Sequence, residues 1–286
     1  MRTRLIVASE ELATGHLTRR DLMRSYARIH RNVYCRAGEV LTAADRAHAA
    51  WLWSGRTATL SGHSAAAMLG ARYVPADAPV ELARTRRPGA PGIQIHSGKI
   101  ADDELCEVDS ISCTTVARTA YDLGRRLRLE SGVIRIDDLL HSTKGDLAEV
   151  YSIAARYPGA RGIRQLRETL SYVDAGAESP QETRLRLLLV QSGLDRPGTQ
   201  IPVTDDWGRV VRRIDMGWLE WKVGVEYDGE QHWTDPDIHA GDIERLEFLA
   251  ARGWLIVRVS ARQLRYQRPE IVRRVRQALA SRGYPA

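Results

Sequence analysis

The chain has 286 residues, 43% of them hydrophobic, with a mean hydropathy of −0.34, a formal charge of +6 and a pI near 9.4. That length predicts two domains or one large one. No apolar run approaches the roughly 18 residues a bilayer span needs, and acidic residues follow MRTRLIVAS with no small-residue cleavage site, so neither a membrane segment nor a signal peptide is read.

Cys35, Cys106 and Cys113 are scattered and odd in number, which excludes a zinc pattern and a disulfide framework and predicts a reducing, cytoplasmic setting. Apart from Lys99, Lys144 and Lys222, every basic side chain is arginine. A coding bias accounts for that ratio. The excess of positive over negative charge points instead to a nucleic-acid partner, since guanidinium suits phosphates and base edges. Nothing in the pattern specifies an oligomeric state.

Residues 5–13 predict a short helix broken at Gly15, and Thr18-Arg19-Arg20-Asp21 is a capping box opening a second helix through Tyr26. Two extended runs follow around His30-Arg31-Asn32. Helix, turn, helix, hairpin is the order of a winged helix-turn-helix, in which Arg19 and Arg20 start the recognition helix and Arg28, Arg31 and Arg36 sit on the wing near phosphates. A small helical module with merely solvated arginines fits the same pattern, and the two readings stand side by side. Thr42-Ala43-Ala44-Asp45 is a second capping box, for a helix through Trp53. Ser61 is expected to cap a third helix ending at Gly70. Residues 79–84 and 93–97 alternate as strands around a Pro/Gly turn. Thr114 or Thr115 caps the next helix, and the chain is mostly helical to about Tyr172. DAGAESP is the linker candidate.

From Ser179 the pattern tightens. Ser179 as cap, Pro180 at the first position and Glu182 at the third open a helix that Gly193 closes. Three strands follow, with an Asp-Trp-Gly turn between the first two. A helix from about Pro236 to Arg252 comes next. WLIVRVS then reads as a strand buried on both faces, and a last helix starts at Pro269. The second and third strands carry Asp215, Glu226 and Asp228. Alternation sets Glu226 and Asp228 on one face, and an antiparallel pairing brings Asp215 opposite Glu226. Carboxylates gathered on one face are costly without a cation between them, and a divalent metal is the usual one.

This order, with Glu182, Asp215 and Glu226 in place, resembles the PD-(D/E)XK nuclease fold. More narrowly, SPQETRLR, RIDMGW, VEYDGEQHW, DIERLEFLAARGWLIVRV and VRRVRQAL look like a domain-of-unknown-function family related to the very-short-patch-repair endonucleases. GHLTRRDL, RNVY and SGHSAAAMLGAR are similar to the AbiEi-type antitoxin/regulator family. The fold implied is α/β, α+β overall: a restriction-endonuclease-like mixed sheet flanked by helices over 179–286, preceded by a winged-helix-like DNA-binding region over 1–75 and an α+β to helical middle region over 76–175. The resemblance implies Asp215 and Glu226 as ligands of Mg²⁺ or Mn²⁺, with Glu182 helping directly or through water. Gln231 and His232 match the histidine-bearing end of the motif, and Asp242 and Arg245 match the helix that covers the site, Arg245 as a phosphate contact.

Two positions depart from the pattern. Ile214 replaces a proline that does no chemistry. Asp228 occupies the slot of the motif lysine, for which Gln231 or His232 is the expected stand-in, with Lys222 four residues before Glu226. Two functions are therefore expected: a metal-dependent DNA endonuclease, or a DNA-binding regulator whose nuclease fold is catalytically inactive.

Overall fold

The computed structural model describes residues 5–84, 89–229 and 236–285, with backbone alone over 236–243. The fold is mixed α and β, and the chain divides into two compact units, Met1–Ser171 and Tyr172–Ala286. Among the described residues no helix is long and apolar enough to cross a membrane.

The first unit opens with β1 (Ile6–Val7), α1 (Ala8–Ala13), α2 (Arg19–Ser25), β2 (Tyr26–His30) and β3 (Val33–Arg36), whose strands form a sheet in the order β1-β3-β2. The helix expected over 5–13 starts only at Ala8. Ile6 and Val7 instead pair with Tyr34 and Val33, as β-branched residues favour. Thr18 and Asp21 close their capping box at α2. In the hairpin Tyr26 faces Arg36 and Arg28 faces Tyr34, so these four share one face. The two tyrosines pack there on Ile6, Ala8 and Leu22.

The unit continues with α3 (Ala43–Trp53), β4 (Thr59–Leu60), α4 (Gly62–Leu69), β5 (Val80–Ala83), β6 (Ile93–His96), β7 (Leu105–Val108) and β8 (Ile111–Thr114), then α5 (Val116–Arg126), α6 (Leu129–Thr143), α7 (Leu147–Arg156) and α8 (Ile163–Tyr172). Its strands make a mixed sheet in the order β6-β5-β4-β8-β7. Thr42 and Asp45 form the expected box at α3, and Thr115 is the cap of α5. Ser61 precedes α4, but its side chain accepts no bond from the helix. The Glu81 carboxylate on β5 takes the His63 N–H instead, at 3.0 Å. A charged acceptor at a helix N-terminus competes well against a hydroxyl.

The second unit runs α9 (Pro180–Gln191), β9 (Gly198–Thr204), β10 (Val210–Trp218), β11 (Val223–Asp228), α10 (Pro236–Ala251), β12 (Leu255–Ser260), α11 (Ala261–Tyr266) and α12 (Arg268–Ala280). The sheet order is β12-β11-β10-β9, antiparallel except that β12 runs parallel to β11. One face buries Met216, Val225 and Val259 against Leu185 and Leu189 of α9 and Ile271 and Val275 of α12. The other buries Ile201, Val203 and Ile214 with Leu249 and Trp254. The apolar WLIVRVS run meets both cores, Val257 and Val259 on one face and Trp254 and Ile256 on the other, but it is less buried than expected. β12 is an edge strand, and only Val257 and Val259 of it are buried. The last helix also has an unexpected companion, α11, opened by a Ser260–Gln263 capping box.

The β10–β11 pair depends on Gly217. A Cβ there would meet Val223 O at 2.4 Å and Gly224 Cα at 2.9 Å, both backbone atoms that cannot swing aside. Gly217→Ala is expected to cost about 1–3 kcal/mol, measured by urea unfolding, because the two strands must separate to admit the methyl group.

Candidate functional site

Three acidic side chains from three elements approach one another at the end of the β10–β11 pair. Glu182 stands in the first turn of α9, where Pro180 presets the backbone and Ser179 caps the helix. Its carboxylate accepts from Ser179 Oγ at 2.8 Å, from the Glu178 N–H at 2.9 Å and from Gln200 Nε2 at 3.3 Å. Asp215 on β10 accepts the Tyr227 N–H of β11 at 2.8 Å. Glu226 is 5% exposed. It accepts from Arg245 Nη2 of α10 at 2.7 Å, and the same nitrogen reaches Arg213 O at 3.3 Å.

The three carboxyls hold their protons more tightly than ordinary ones. Burial is the largest cause in each. The charge of Asp215 pushes Glu182 and Glu226 up further, and that of Glu178 does the same to Asp215. The Glu178 and Tyr227 amides and Arg245 offset only part of this. The cluster is thus short of positive charge.

A hard divalent cation would supply it. The donor set is all oxygen and anionic, the chemistry Mg²⁺ and Mn²⁺ prefer over softer metals. Among the described residues no three His, Cys, Asp or Glu side chains stand assembled as a metal-holding group. Glu182 is tied into its own helix cap, Asp215 to an amide and Glu226 to Arg245. In donor chemistry the residues fit the ion; Asp215 and Glu226 would hold it, with Glu182 close enough to feel the charge of Asp215.

The lysine slot itself holds an ion pair. Asp228 is ion-paired with Arg258 at 2.8 Å. Arg258 lies on β12 opposite Glu226 in the parallel register, and its charge favours the ionised form of Glu226. Lys222 lies in the turn just before β11, donating to Arg252 O at 3.0 Å. Among the described residues, Arg245 and Arg258 are cations beside the acids. Gln231 and His232 lie outside the described residues, as does the side chain of Asp242. Glu178, Gln200 and Arg258 were not read from the sequence as site residues. The signal for Arg258 was visible, an arginine inside an apolar strand. Glu178 and Gln200 had none, being a linker acid and a strand amide.

Tyr227 links this cluster to a second feature. Its N–H holds Asp215, while its side chain lines a concavity of ≈ 630 Å³ with Arg184, Arg262, Arg265, Arg268 and Tyr266. Four guanidiniums and two aromatic rings beside a group of acids suit a phosphate-bearing strand. In the first unit Arg19, Arg20, Arg28, Arg31 and Arg36 are exposed, and among the described residues none is in an ion pair. Arg19 and Arg20 occupy the first turn of α2, the positive end of a helix.

No family model matches the chain, and no solved structure matches it. The chain is similar to two uncharacterized proteins of Mycobacterium tuberculosis, from strains CDC 1551 / Oshkosh and ATCC 25618 / H37Rv. Each is 28% identical over 184 residues, which is 64% of this chain and 67% of the relative.

Proposed function

We propose that Tyr172–Ala286 is a metal-dependent DNA endonuclease domain of the PD-(D/E)XK kind, and that the N-terminal module contacts DNA. The observation that carries this reading is the Glu182, Asp215 and Glu226 set, each acid raised by burial and by an acidic neighbour, with Arg245 and Arg258 beside it. Bound Mg²⁺ or Mn²⁺ would activate a water and spread the charge of the scissile phosphate. The chain's own contribution is positioning. Tyr227 N–H fixes the orientation of Asp215, and Ser179 and Glu178 fix Glu182. Arg245 and Arg258 face the charge that develops on phosphate, the part otherwise played by a lysine. The arginine-lined concavity beside Tyr227 holds the backbone of the strand. Arg19 and Arg20 pay a small electrostatic penalty at the start of α2 that a DNA phosphate relieves.

The test is supercoiled plasmid incubated with the full chain and Mg²⁺ or Mn²⁺. Nicking or linearisation that EDTA abolishes is the expected result. A second reading, a DNA-binding regulator with an inactive nuclease fold, draws on the Asp228–Arg258 ion pair in the lysine slot. Absence of cleavage together with absence of divalent binding in calorimetry overturns the first reading in favour of the second.

A further inference from the structure

The unit Met1–Ser171 contains a second polar constellation, unrelated to the acids of the other unit. At its centre is Glu81 on β5, 6% exposed. It accepts from the His63 N–H at 3.0 Å, His63 Nδ1 at 2.7 Å, His96 Nε2 at 2.7 Å and Arg126 Nη1 at 3.3 Å. Gly62 makes room for it, since a Cβ there would lie 2.3 Å from Glu81 Oε1. Although burial alone would raise the Glu81 carboxyl, the bonds from His63 and His96 hold it well below the usual range. An ionised carboxylate only accepts. Both rings therefore donate to it, and His96 is locked with Nε2 toward Glu81 and its Nδ1 side turned away.

Asp122 on α5 does the same for the arginines. It is 1% exposed. It accepts from Arg118 Nε at 3.1 Å, Arg125 Nε at 2.9 Å and Arg126 Nη2 at 3.0 Å. These are neighbours three and four positions away on one helix face. Glu81 and Asp122 thus form a buried acidic frame that fixes His96, Arg125 and Arg126.

What the frame holds opens on a concavity of ≈ 690 Å³, lined by His96, Ser97, Arg125, Arg126, Arg161 and Gln165 among others, with no carboxylate among the described residues of its wall. Gly162 presses the α7–α8 loop onto the end of α5. Its φ is +85°, and a Cβ would meet Arg125 O at 2.2 Å. That close approach brings Arg161 beside the pair, and Arg125 Nη1 reaches Arg161 O at 3.4 Å. Arg161 is exposed and among the described residues has no acidic partner. Arg125 is paired with Asp122 through Nε and Nη2, and Arg126 with Glu81 and Asp122 through its two Nη groups. Both still line the concavity together with Arg161 and His96, so the acids hold two of its three guanidiniums in place at the wall.

We propose that this concavity binds a terminal phosphate monoester, with Arg125, Arg126, Arg161 and His96 as the contacts. Three converging guanidiniums match a dianion with three free oxygens better than a carboxylate or a bridging diester. The acidic frame preorganises the donors, so little side-chain freedom is lost on binding. The monoester belongs either to a free nucleotide or to the 5′ end of a strand.

Calorimetry on the full chain in EDTA tests this with AMP, inorganic phosphate, and a short single-stranded oligonucleotide carrying either a 5′-phosphate or a 5′-hydroxyl. AMP or the 5′-phosphorylated strand is expected to bind, with inorganic phosphate competing. Arg161→Glu, on an exposed loop, is expected to weaken that binding by about tenfold or more, and His96→Gln to weaken it too, while Arg209→Ala, on the exposed β9–β10 turn of the other unit, leaves it unchanged. AMP binding as tightly as the strand identifies the free nucleotide; a strong preference for the 5′-phosphorylated strand identifies the strand end. The proposal is overturned if no probe binds, if the 5′-hydroxyl strand competes equally, or if Arg161→Glu has no effect.

Discussion

Asp215→Asn is expected to lower metal-dependent cleavage by about a thousandfold or more, equivalent to roughly 4 kcal/mol of transition-state stabilisation, while making the protein more stable at neutral pH. The two effects have one origin. Asparagine keeps an oxygen for the Tyr227 N–H but removes a buried charge that Glu178 and the other acids oppose. The folded-state proton affinity of Asp215 is raised above its ordinary value of 3.8. Such a group contributes stability that is present below the ordinary value and lost as pH rises through the raised one. The unmodified protein is therefore expected to gain stability from this cluster on mild acidification, and the asparagine variant to show a flatter profile. Plasmid cleavage and denaturant midpoints at mildly acidic and neutral pH read both effects. Cleavage by Asp215→Asn at the unmodified rate would remove these acids from the chemistry.

Glu81→Ala is expected to destabilise the Met1–Ser171 unit by about 3–5 kcal/mol. It leaves the His63 ring and amide, His96 and Arg126 without their shared acceptor inside the fold. Unpaired buried donors cost their full desolvation. Glu81→Gln preserves shape and one acceptor oxygen and is expected to cost less. The pH dependence has the opposite sign to that of the Asp215 cluster. The Glu81 carboxyl is depressed from 4.5, so its contribution is present above that value and lost as pH falls toward the folded one. Chemical denaturation with tryptophan fluorescence, which reports on Trp51 and Trp53 in one unit and Trp218 and Trp254 in the other, tests this. Only the transition of the first unit should move. A shift of both together would show that the units unfold as one.

Much of the architecture was legible because it is written in short spacings. The boxes Thr18–Asp21 and Thr42–Asp45 and the Ser179 cap on the Glu182 amide each mark a helix start. Each is a contact between residues three apart, complete within the local chain. Alternation placed β9, β10 and β11, and Asp215, Glu226 and Asp228 were visible as charges within strands. Where reading failed, a distant partner intervened. Ser61 lost the α4 cap to Glu81, twenty positions on in sequence and brought near by β4–β5 pairing. Ile6 and Val7 left their helix for β3. WLIVRVS looked buried on both faces, yet its place at the sheet edge depends on strand order, which hydrophobicity does not encode.

By itself, then, the sequence determined where helices start, which segments extend, and that Glu182 sits on a helix and Asp215 and Glu226 on the second and third strands after it. Those features follow from steric and hydrogen-bonding preferences over a few residues. Only the tertiary structure decided what the charges do to one another. It set Asp215 on the Tyr227 amide, put Arg245 and Arg258 beside Glu226, spent Asp228 on an ion pair, and gathered Glu81, Asp122, His96 and Arg126 into one frame. Proton affinity and charge balance depend on burial and on through-space distance, and those exist only once residues remote in the chain have been packed together.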